Sequence, residues 1–586
     1  MIPNSTDNPR HWWQDGSIYQ IYPRSFQDSD GDGVGDLAGI LSRLDYLVDL
    51  GVDALWISPF YPSPMADFGY DVSDYCNVDP VFGTLADFDR LITAVHARGL
   101  KLILDFVPNH SSDQHPWFLA SRSARTSPKR DWYLWHDPAP GDGPPESRPP
   151  NNWMSNFGGS SWTYDQRTGQ FYYHSFLPQQ PDLNWRNPEV RAAMYDAMRF
   201  WMQRGPDGHG VDGFRMDVLW LLIKDDQFRD NPPNPEWTPG AASFWSVLPT
   251  FTADRPETHS IVAEMHDVMS AYPERVLIGE IYLPLRDLVA YYGFDPNAAS
   301  SGQPILRGAD MPFNFHLIQT DWNAEHIAQL IREYESELPP GAWPNWVLGN
   351  HDQARLATRV GLGQVRTAAM LLLTLRGTPT LYNGDELAMT NGRIPPNRMQ
   401  DPAERNHPGM GLGRDPERTP MLWNATSSSA GFTTGEPWLP INDNFAEINV
   451  ATQSAAPRSV LWLYRKLLTL RRKYPALHRG SIDQVNTHNG VLSFQRHAED
   501  LHLGQPQHLQ IFLNLTDDLQ TVTCEAGHIL LTTILDGDGA PVEGNLLLEA
   551  GEGMVILLSY FTLHANHADS EPDRQHAESI QDPQIG

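Results

Sequence analysis

Four short apolar runs in this chain end in residues able to do acid–base and electrostatic chemistry. They are Asp105-Phe106-Val107-Pro108-Asn109-His110, Gly213-Phe214-Arg215-Met216-Asp217, Gly279-Glu280 after Val276-Leu277-Ile278, and Asn350-His351-Asp352 after Trp346-Val347-Leu348. Asp217 and Glu280 close the fourth and fifth strand-like runs of the series, so adjacent strand ends would aim both carboxylates into one mouth. Two carboxyl groups about 5–5.5 Å apart can cleave a glycosidic bond with retention, one attacking the sugar and the other protonating the leaving oxygen. Arg215 lies two residues before Asp217 and shares its face of the strand, where a guanidinium would keep Asp217 ionised at neutral pH. Glu280 would need a raised pKa to act first as acid and then as base. His351 and Asp352 would hold sugar hydroxyls in the distorted ring of the transition state. A single such run is compatible with barrel-mouth ion pairs alone; four in order point to one site.

The elements that must position these residues alternate from about residue 17 to about 475. Strand-like runs cover 17–22, 52–58 and 101–107, and further strands end near Asp217, Glu280, Asn314, Asn350 and Tyr382. Helical spacing covers 37–50, 88–98 and 190–204. Eight strands with intervening helices predict an α/β fold, a (β/α)8 TIM barrel, whose chemistry sits at the C-terminal face of the strands. The barrel is expected over 1–107 and 180–480. Residues 108–179, rich in Pro, Gly, Asn and Trp, interrupt it as an inserted subdomain after the third strand, because structureless loops of that length are uncommon. Short alternating runs at 490–494, 509–513 and 554–558 predict a C-terminal antiparallel β-sandwich over 481–563. Residues 564–586 carry few apolar side chains and read as a disordered tail. No internal repeat is present.

Composition narrows the partners. The 586 residues carry a net charge of −30, which argues against nucleic acid and anionic membranes because no basic stripe exists to neutralise phosphates. A neutral or cationic substrate and a soluble protein fit better. Aromatic residues make up 11% of the chain, enough for a packed core and for stacking on sugar rings. Cys76 and Cys524 are the only cysteines and have no metal-binding spacing, so a reducing cytoplasm is expected. The first residues lack the basic start and apolar stretch of a signal peptide. No window approaches the roughly 20 apolar residues of a membrane span.

The loop Asp28-Ser29-Asp30-Gly31-Asp32-Gly33-Val34-Gly35-Asp36 sets carboxylates at every second position, with glycines that permit a tight wrap. The side chains of Asp28, Asp30, Asp32 and Asp36 and the carbonyl of Val34 are hard oxygen donors suited to Ca²⁺ or Mg²⁺ in a structural role. Gly39 stands where an EF-hand loop would place its glutamate. No organic cofactor is expected.

Taken together, the four runs resemble the short regions of glycoside hydrolase family 13, the α-amylase family, and Gln180-Pro181-Asp182-Leu183-Asn184 resembles its fifth. The resemblance extends from about residue 12 to about 560. It implies Asp217 as nucleophile, Glu280 as acid/base and Asp352 as transition-state stabiliser, with His110, Arg215 and His351 contacting the sugar at the cleavage point. Within the family the chain looks most like the oligo-1,6-glucosidase and α-glucosidase branch. Asp67-Phe68-Gly69-Tyr70-Asp71 is similar to the segment whose Asp, here Asp67, recognises the non-reducing end and whose Tyr, here Tyr70, stacks beneath the first sugar. The run 413–421 is similar to the stretch whose first Arg, here Arg414, pairs with that Asp. In this branch the loop 28–36 resembles a known structural cation site. Asn109 matches a calcium ligand of many amylases that the branch usually lacks. Val218 resembles enzymes acting on α-1,6 links, while both α-1,4 and α-1,6 stay open. The resemblance implies a retaining exo-acting α-glucosidase on short oligosaccharides or disaccharides, with transglucosylation open, acting as a monomer or homodimer. The alternative is an α-glucosyltransferase or a sugar isomerase of the sucrose isomerase or trehalose synthase type. The Arg-Leu-Asp-Arg-Asp run of sucrose isomerases is missing, and residues 315–321 stand in its place.

Overall fold

The computed structural model describes residues 10–295, 305–500 and 505–559; the expected tail at 564–586 lies outside them. Eight parallel strands build the barrel: β1 (Ile18–Ile21), β2 (Ala54–Ile57), β3 (Lys101–Phe106), β7 (Gly213–Met216), β8 (Val276–Ile281), β11 (Met311–Asn314), β12 (Asn345–Val347) and β13 (Thr378–Tyr382). Their order is β11-β8-β7-β3-β2-β1-β13-β12. At the seam between β12 and β11 a side chain replaces the backbone ladder. The Asn345 amide accepts from the Asn314 N–H at 3.0 Å and donates to the Pro312 carbonyl at 2.6 Å.

Side chains alternate along these strands, and the alternation carries the chemistry. Ile18, Ala54, Trp56, Ile103, Val276, Ile278, Met311, Phe313 and Val347 form one apolar cluster that fills the barrel interior. Two residues further along the same strand faces, the apolar series changes to polar: Gln20 after Ile18, Asp105 after Ile103, Glu280 after Ile278. The mouth is thus the polar cap of a packed interior, and cross-strand pairing sets Asp105 beside Arg215.

The helices bury one stripe against the outside of the barrel. Leu85–Ala97 is typical: Thr84 and Asp87 form a capping box, and Phe88, Leu91, Ile92 and Val95 face inward. The single helix expected over 37–50 is two, Leu37–Ser42 and Leu44–Leu50. Arg43 breaks it at φ −110°, where its guanidinium bonds Gln27 at 2.8 Å and lies 4.1 Å over the Trp423 ring.

The insertion carries a small antiparallel sheet of β4 (Trp135–His136), β5 (Trp162–Asp165) and β6 (Gln170–Tyr173). Its own cluster is built on Trp153, Trp162, Phe171 and Tyr173. Strands β9 (Phe294–Asp295) and β10 (Ile305–Leu306) form a short hairpin before β11. The C-terminal unit is a six-stranded antiparallel sheet, β14 (Ser481–His488), β15 (Val491–Asp500), β16 (Gln505–Asn514), β17 (Gln520–Thr532), β18 (Pro541–Leu548) and β19 (Gly553–Leu558). Leu492, Phe494, Leu509, Ile511 and Leu513 on one face join the barrel's core. Val491, Phe512, Met554 and Ile556 form a second apolar cluster with Val522, Ile529 and Leu548 of the same sheet. Buried Arg496 ties this unit to the barrel by donating to the Thr374 carbonyl at the end of helix Val365–Thr374, where Arg471 of the barrel helix Val460–Lys473 also donates to the Leu373 carbonyl at 3.2 Å.

Candidate active site

The mouth is organised by one guanidinium. Arg215 is fully buried at the end of β7 and donates through one nitrogen to Asp105 at 2.9 Å and to Asp217 at 3.0 Å. Its second terminal nitrogen lies 2.9 Å from a Glu280 oxygen. Asp217 and Glu280 are therefore held by the two prongs of the same fork. Val218, which follows Asp217, has φ 40° and ψ 46°, a left-handed conformation unusual for a β-branched residue. This turn aims the Val218 N–H at Glu280, 2.8 Å away.

Electrostatics separates the three carboxylates. Burial is the largest effect on Asp217 and raises its pKa well above the ordinary range; the charge of Glu280 adds to it, and Arg215 opposes it. Glu280 is also raised, by burial first and against the pull of Arg215. The sequence predicts that Arg215 keeps Asp217 ionised; in the fold the arginine is shared, and Asp105 beside it is itself pushed up to about 7 by burial. Asp352 behaves oppositely. Burial alone would raise it, but neighbouring charge holds it well below the carboxylate range. Arg418 at 2.7 Å and Arg414 at 3.2 Å supply that charge, since His351 is driven well below its usual value by burial and is neutral.

The outer recognition group sits on the β2 loop. Phe68 (φ 48°) and Gly69 (φ 109°) are both left-handed, which turns Asp67 and Tyr70 to the same side. A Cβ on Gly69 would also meet the Pro59 carbonyl at 2.9 Å. Asp67 accepts from Arg414 at 2.7 Å and from Gln180 at 3.2 Å. Arg414 reaches Asp401 at 2.7 Å as well, so one side chain spans Asp67, Asp401 and Asp352. Tyr70 stacks on His351, with ring centroids 5.5 Å apart at 7°, and donates to Asp105 at 3.1 Å. His110 is neutral at neutral pH because burial lowers its pKa to about 4; its ring meets the Gln180 amide at 3.2 Å.

Asp67, Tyr70, His110, Asp217, Glu280, Asp352 and Arg414 all line one cavity of about 570 Å³. Arg215 and His351 are absent from that lining and lie fully buried beneath it, where they position Asp217, Glu280, Tyr70 and Asp352. Sequence reading missed several members. Gln180 and Arg418 stand inside runs that were singled out, but nothing in their spacing marked them as partners of Asp67 and Asp352. Asp401, and Tyr282 and Phe157 of the cavity lining, carry no local signal.

Beside the site, Lys224 is fully buried among Asn109 and Asp182, donating to Asn109 at 2.7 Å and pairing with Asp182. An ammonium thus occupies the polar centre that joins the insertion to the barrel. In the loop at 28–36, carboxylate oxygens of Asp28, Asp30 and Asp36 approach within 4.8 Å of one another. Asp32 instead accepts from the Val34 N–H at 2.8 Å. Its carboxyl is raised by burial, with the charges of Asp30, Asp28 and Asp36 adding.

A parallel barrel with acidic groups gathered at the C-terminal mouth of its strands defines the class, a glycoside hydrolase of the amylase type. Residues 20–480 match the family described as alpha amylase, catalytic domain, and the chain belongs to the alpha-amylase family. It is 40% identical to a probable alpha-glucosidase of Rhizobium meliloti (strain 1021), over 83% of this chain and 87% of that one. It is 38% identical to an oligo-1,6-glucosidase of Parageobacillus thermoglucosidasius, over 81% of this chain and 86% of that one. The solved structure of an alpha-glucosyl transfer enzyme, XgtA, superposes with a TM-score of 0.84 at 39% identity, covering 94% of this chain and 100% of that one. Among the described residues no helix is long and apolar enough to cross a membrane.

Proposed function

We propose that the protein is a retaining, exo-acting α-glucosidase that removes single glucose units from the non-reducing ends of short α-linked oligosaccharides or disaccharides. The observation that carries this reading is the Arg414 bridge from Asp67 to Asp352. It sets buried charge on one side of the cavity, which suits a single terminal sugar beside Asp217 and Glu280 better than a chain passing through. In this mechanism Asp352, held ionised, accepts hydrogen bonds from the hydroxyls of that sugar. Glu280 gives its proton to the glycosidic oxygen while Asp217 attacks the anomeric carbon. Burial of both carboxylates and their mutual repulsion favour a pair that carries one proton between them. After the leaving sugar departs, Glu280 takes a proton from water, which attacks the anomeric carbon and frees Asp217. The single guanidinium bridging the two carboxylates supports the short separation of a retaining enzyme.

The loop at 28–36 fits a structural Ca²⁺ or Mg²⁺, held by Asp28, Asp30, Asp32, Asp36 and the Val34 carbonyl. The approach of Asp28, Asp30 and Asp36 within 4.8 Å of one another supports this, because a hard divalent cation would relieve their mutual repulsion. Free thiols at Cys76 and Cys524 are consistent with a cytoplasmic location. Transfer of glucose to acceptors other than water belongs to the same reading, since the glucosyl intermediate is partitioned by whatever occupies the outer cavity.

The test compares the wild type with Asp217→Asn on maltose and isomaltose, following the first anomer by NMR. The expected result is α-glucose from the wild type and a loss of at least about 10³-fold in the variant. Release of β-glucose, or a variant as active as the wild type, overturns the reading.

A further inference from the structure

Arg24, two residues past the end of β1, is a buried cation without a bonded anion. It is 9% exposed, and among the described residues no carboxylate pairs with it. Its Nε has no partner, and Nη1 meets the Met65 sulfur at 3.7 Å. Burial pulls its pKa below the usual arginine value, offset in part by Tyr22, Asp79 and Asp32. A buried charge is costly unless it is paired. Here ring faces stand in for the counter-ion. The guanidinium carbon lies 4.8 Å from the ring centroid of Trp438, 5.3 Å from Phe68 and 6.0 Å from Phe82, within reach of a cation–π attraction. The Trp438 and Phe68 rings also meet each other at 5.4 Å.

Two of these partners share a second property. Met65 (φ 64°) and Phe68 (φ 48°) are left-handed without being glycine. Bulky side chains keep that conformation only where the surroundings impose it. The two residues flank Asp67, and Arg24 contacts both. The arginine is itself anchored from outside the turn, because its carbonyl accepts from the Gly35 N–H at 2.8 Å. Trp438 is fixed as well, its backbone N–H on the Gly33 carbonyl at 3.0 Å and its indole N–H on Ser25 at 3.0 Å. Packing alone calls for no charge here, since an apolar side chain would fill the same space without the loss of hydration.

We propose that Arg24 is a positioning residue for substrate recognition: its guanidinium grips both strained residues of the turn 65–68 and so holds Asp67 where it meets the hydroxyls of the terminal sugar. This rests on the exo-acting reading given above. Without the cation the turn relaxes toward ordinary backbone angles, and the Asp67 carboxylate leaves its place beside Arg414. Asp217 and Glu280 are not contacted by Arg24 and keep their arrangement.

Kinetics on maltose and p-nitrophenyl α-glucoside compare the wild type with Arg24→Met, Phe68→Leu, Asp67→Asn and the variant carrying both Arg24→Met and Asp67→Asn. Each protein is first checked for a cooperative unfolding transition. Arg24→Met removes the charge from an unbranched side chain, and Phe68→Leu removes one ring of the cage and carries the test if Arg24→Met does not fold. The expected result for Arg24→Met is a KM raised about tenfold with kcat within about threefold, the pattern of lost sugar binding; Phe68→Leu shifts KM in the same direction. A smaller active fraction alone would lower kcat and leave KM unchanged. In the double variant kcat/KM should match that of Asp67→Asn within about twofold, because the arginine acts through that carboxylate. An unchanged KM in the folded single variants, or losses that multiply in the double variant, overturns the positioning role and leaves the glucosidase reading standing. A wild type that releases glucose from neither substrate overturns both.

Discussion

Arg215 bonds or pairs with three carboxylates at once, so it offsets only in part the burial that makes Asp217 and Glu280 resist ionisation, while Asp352 has arginines of its own. Asp352 has Arg414 and Arg418 on one oxygen; Asp217 and Glu280 divide a single cation with Asp105. The raised pKa of Glu280 sets a pH prediction. A carboxyl raised by burial keeps its proton to a higher pH than a free one and loses it as pH climbs through the folded-state value, so kcat/KM for maltose falls on the alkaline side. Glu280→Gln should lose about 10²–10⁴-fold on maltose and show no alkaline limb. It should retain glucosylation by α-glucosyl fluoride, whose leaving group needs no proton. An alkaline limb that survives in Glu280→Gln assigns the acid elsewhere.

At the scale of elements, the insertion is pinned to the barrel by hydrogen bonds from its Asn109 and Ser175 to a buried charge pair, Asp182 with Lys224. Asp182 takes hydrogen bonds from Asn109 at 2.9 Å and from the Ser175 N–H at 2.7 Å, and Lys224 supplies its counter-charge. Removing one partner of a buried pair strands the other and costs about 3–5 kcal/mol. Lys224→Met should therefore lower the thermal unfolding midpoint and expose 108–179 to limited proteolysis before the barrel. Equal protease resistance in the variant would show that the apolar cluster around Trp153 holds the subdomain unaided. The division of the helix at 37–50 has a related cause. Its apolar spacing is continuous in sequence, but Arg43 leaves the helical conformation where its guanidinium meets Gln27 and the Trp423 ring.

Two predictions belong to the whole molecule. The loop at 28–36 packs on the segment around 433–437: a Cβ on Gly33 would meet the Glu436 carbonyl at 1.9 Å, and Thr433 donates to Asp28. A bound cation would thus brace two distant parts of the chain. Calcium at about 100 times its Kd should stabilise the fold by about 2.7 kcal/mol, seen as a higher unfolding midpoint that EDTA reverses and Asp28→Ala abolishes. A midpoint indifferent to calcium, magnesium and EDTA refutes the site. The second prediction concerns pH. Burial raises Asp71 to about 6 and Glu417 to about 8, above their unfolded values, so the folded state binds more protons between about pH 4 and 8. Stability then falls as pH rises through that window, the same direction as repulsion within a chain of net charge −30. Glu417→Gln should flatten the decline of the unfolding midpoint between about pH 6 and 8; an unchanged slope removes Glu417 from the account.

The sequence by itself determined the barrel, its insertion and its C-terminal β unit, because hydrophobic period and turn chemistry are local properties that survive without tertiary context. It also determined the catalytic candidates Asp217, Glu280 and Asp352, because period-two alternation carries an apolar strand directly to its polar end. Only the tertiary structure decided which charges meet. Arg414 lies 347 residues from Asp67 in sequence yet 2.7 Å away in space, and Asp401 completes that cluster from a loop with no recognisable pattern. The same holds for Asp217, where burial outweighs the shared Arg215 and turns an expected ionised group into a carboxyl with a raised pKa, and for Trp245, which reaches the cavity from the segment 222–255. Pairwise electrostatics and burial depend on distances in three dimensions, and strand periodicity contains none of those distances.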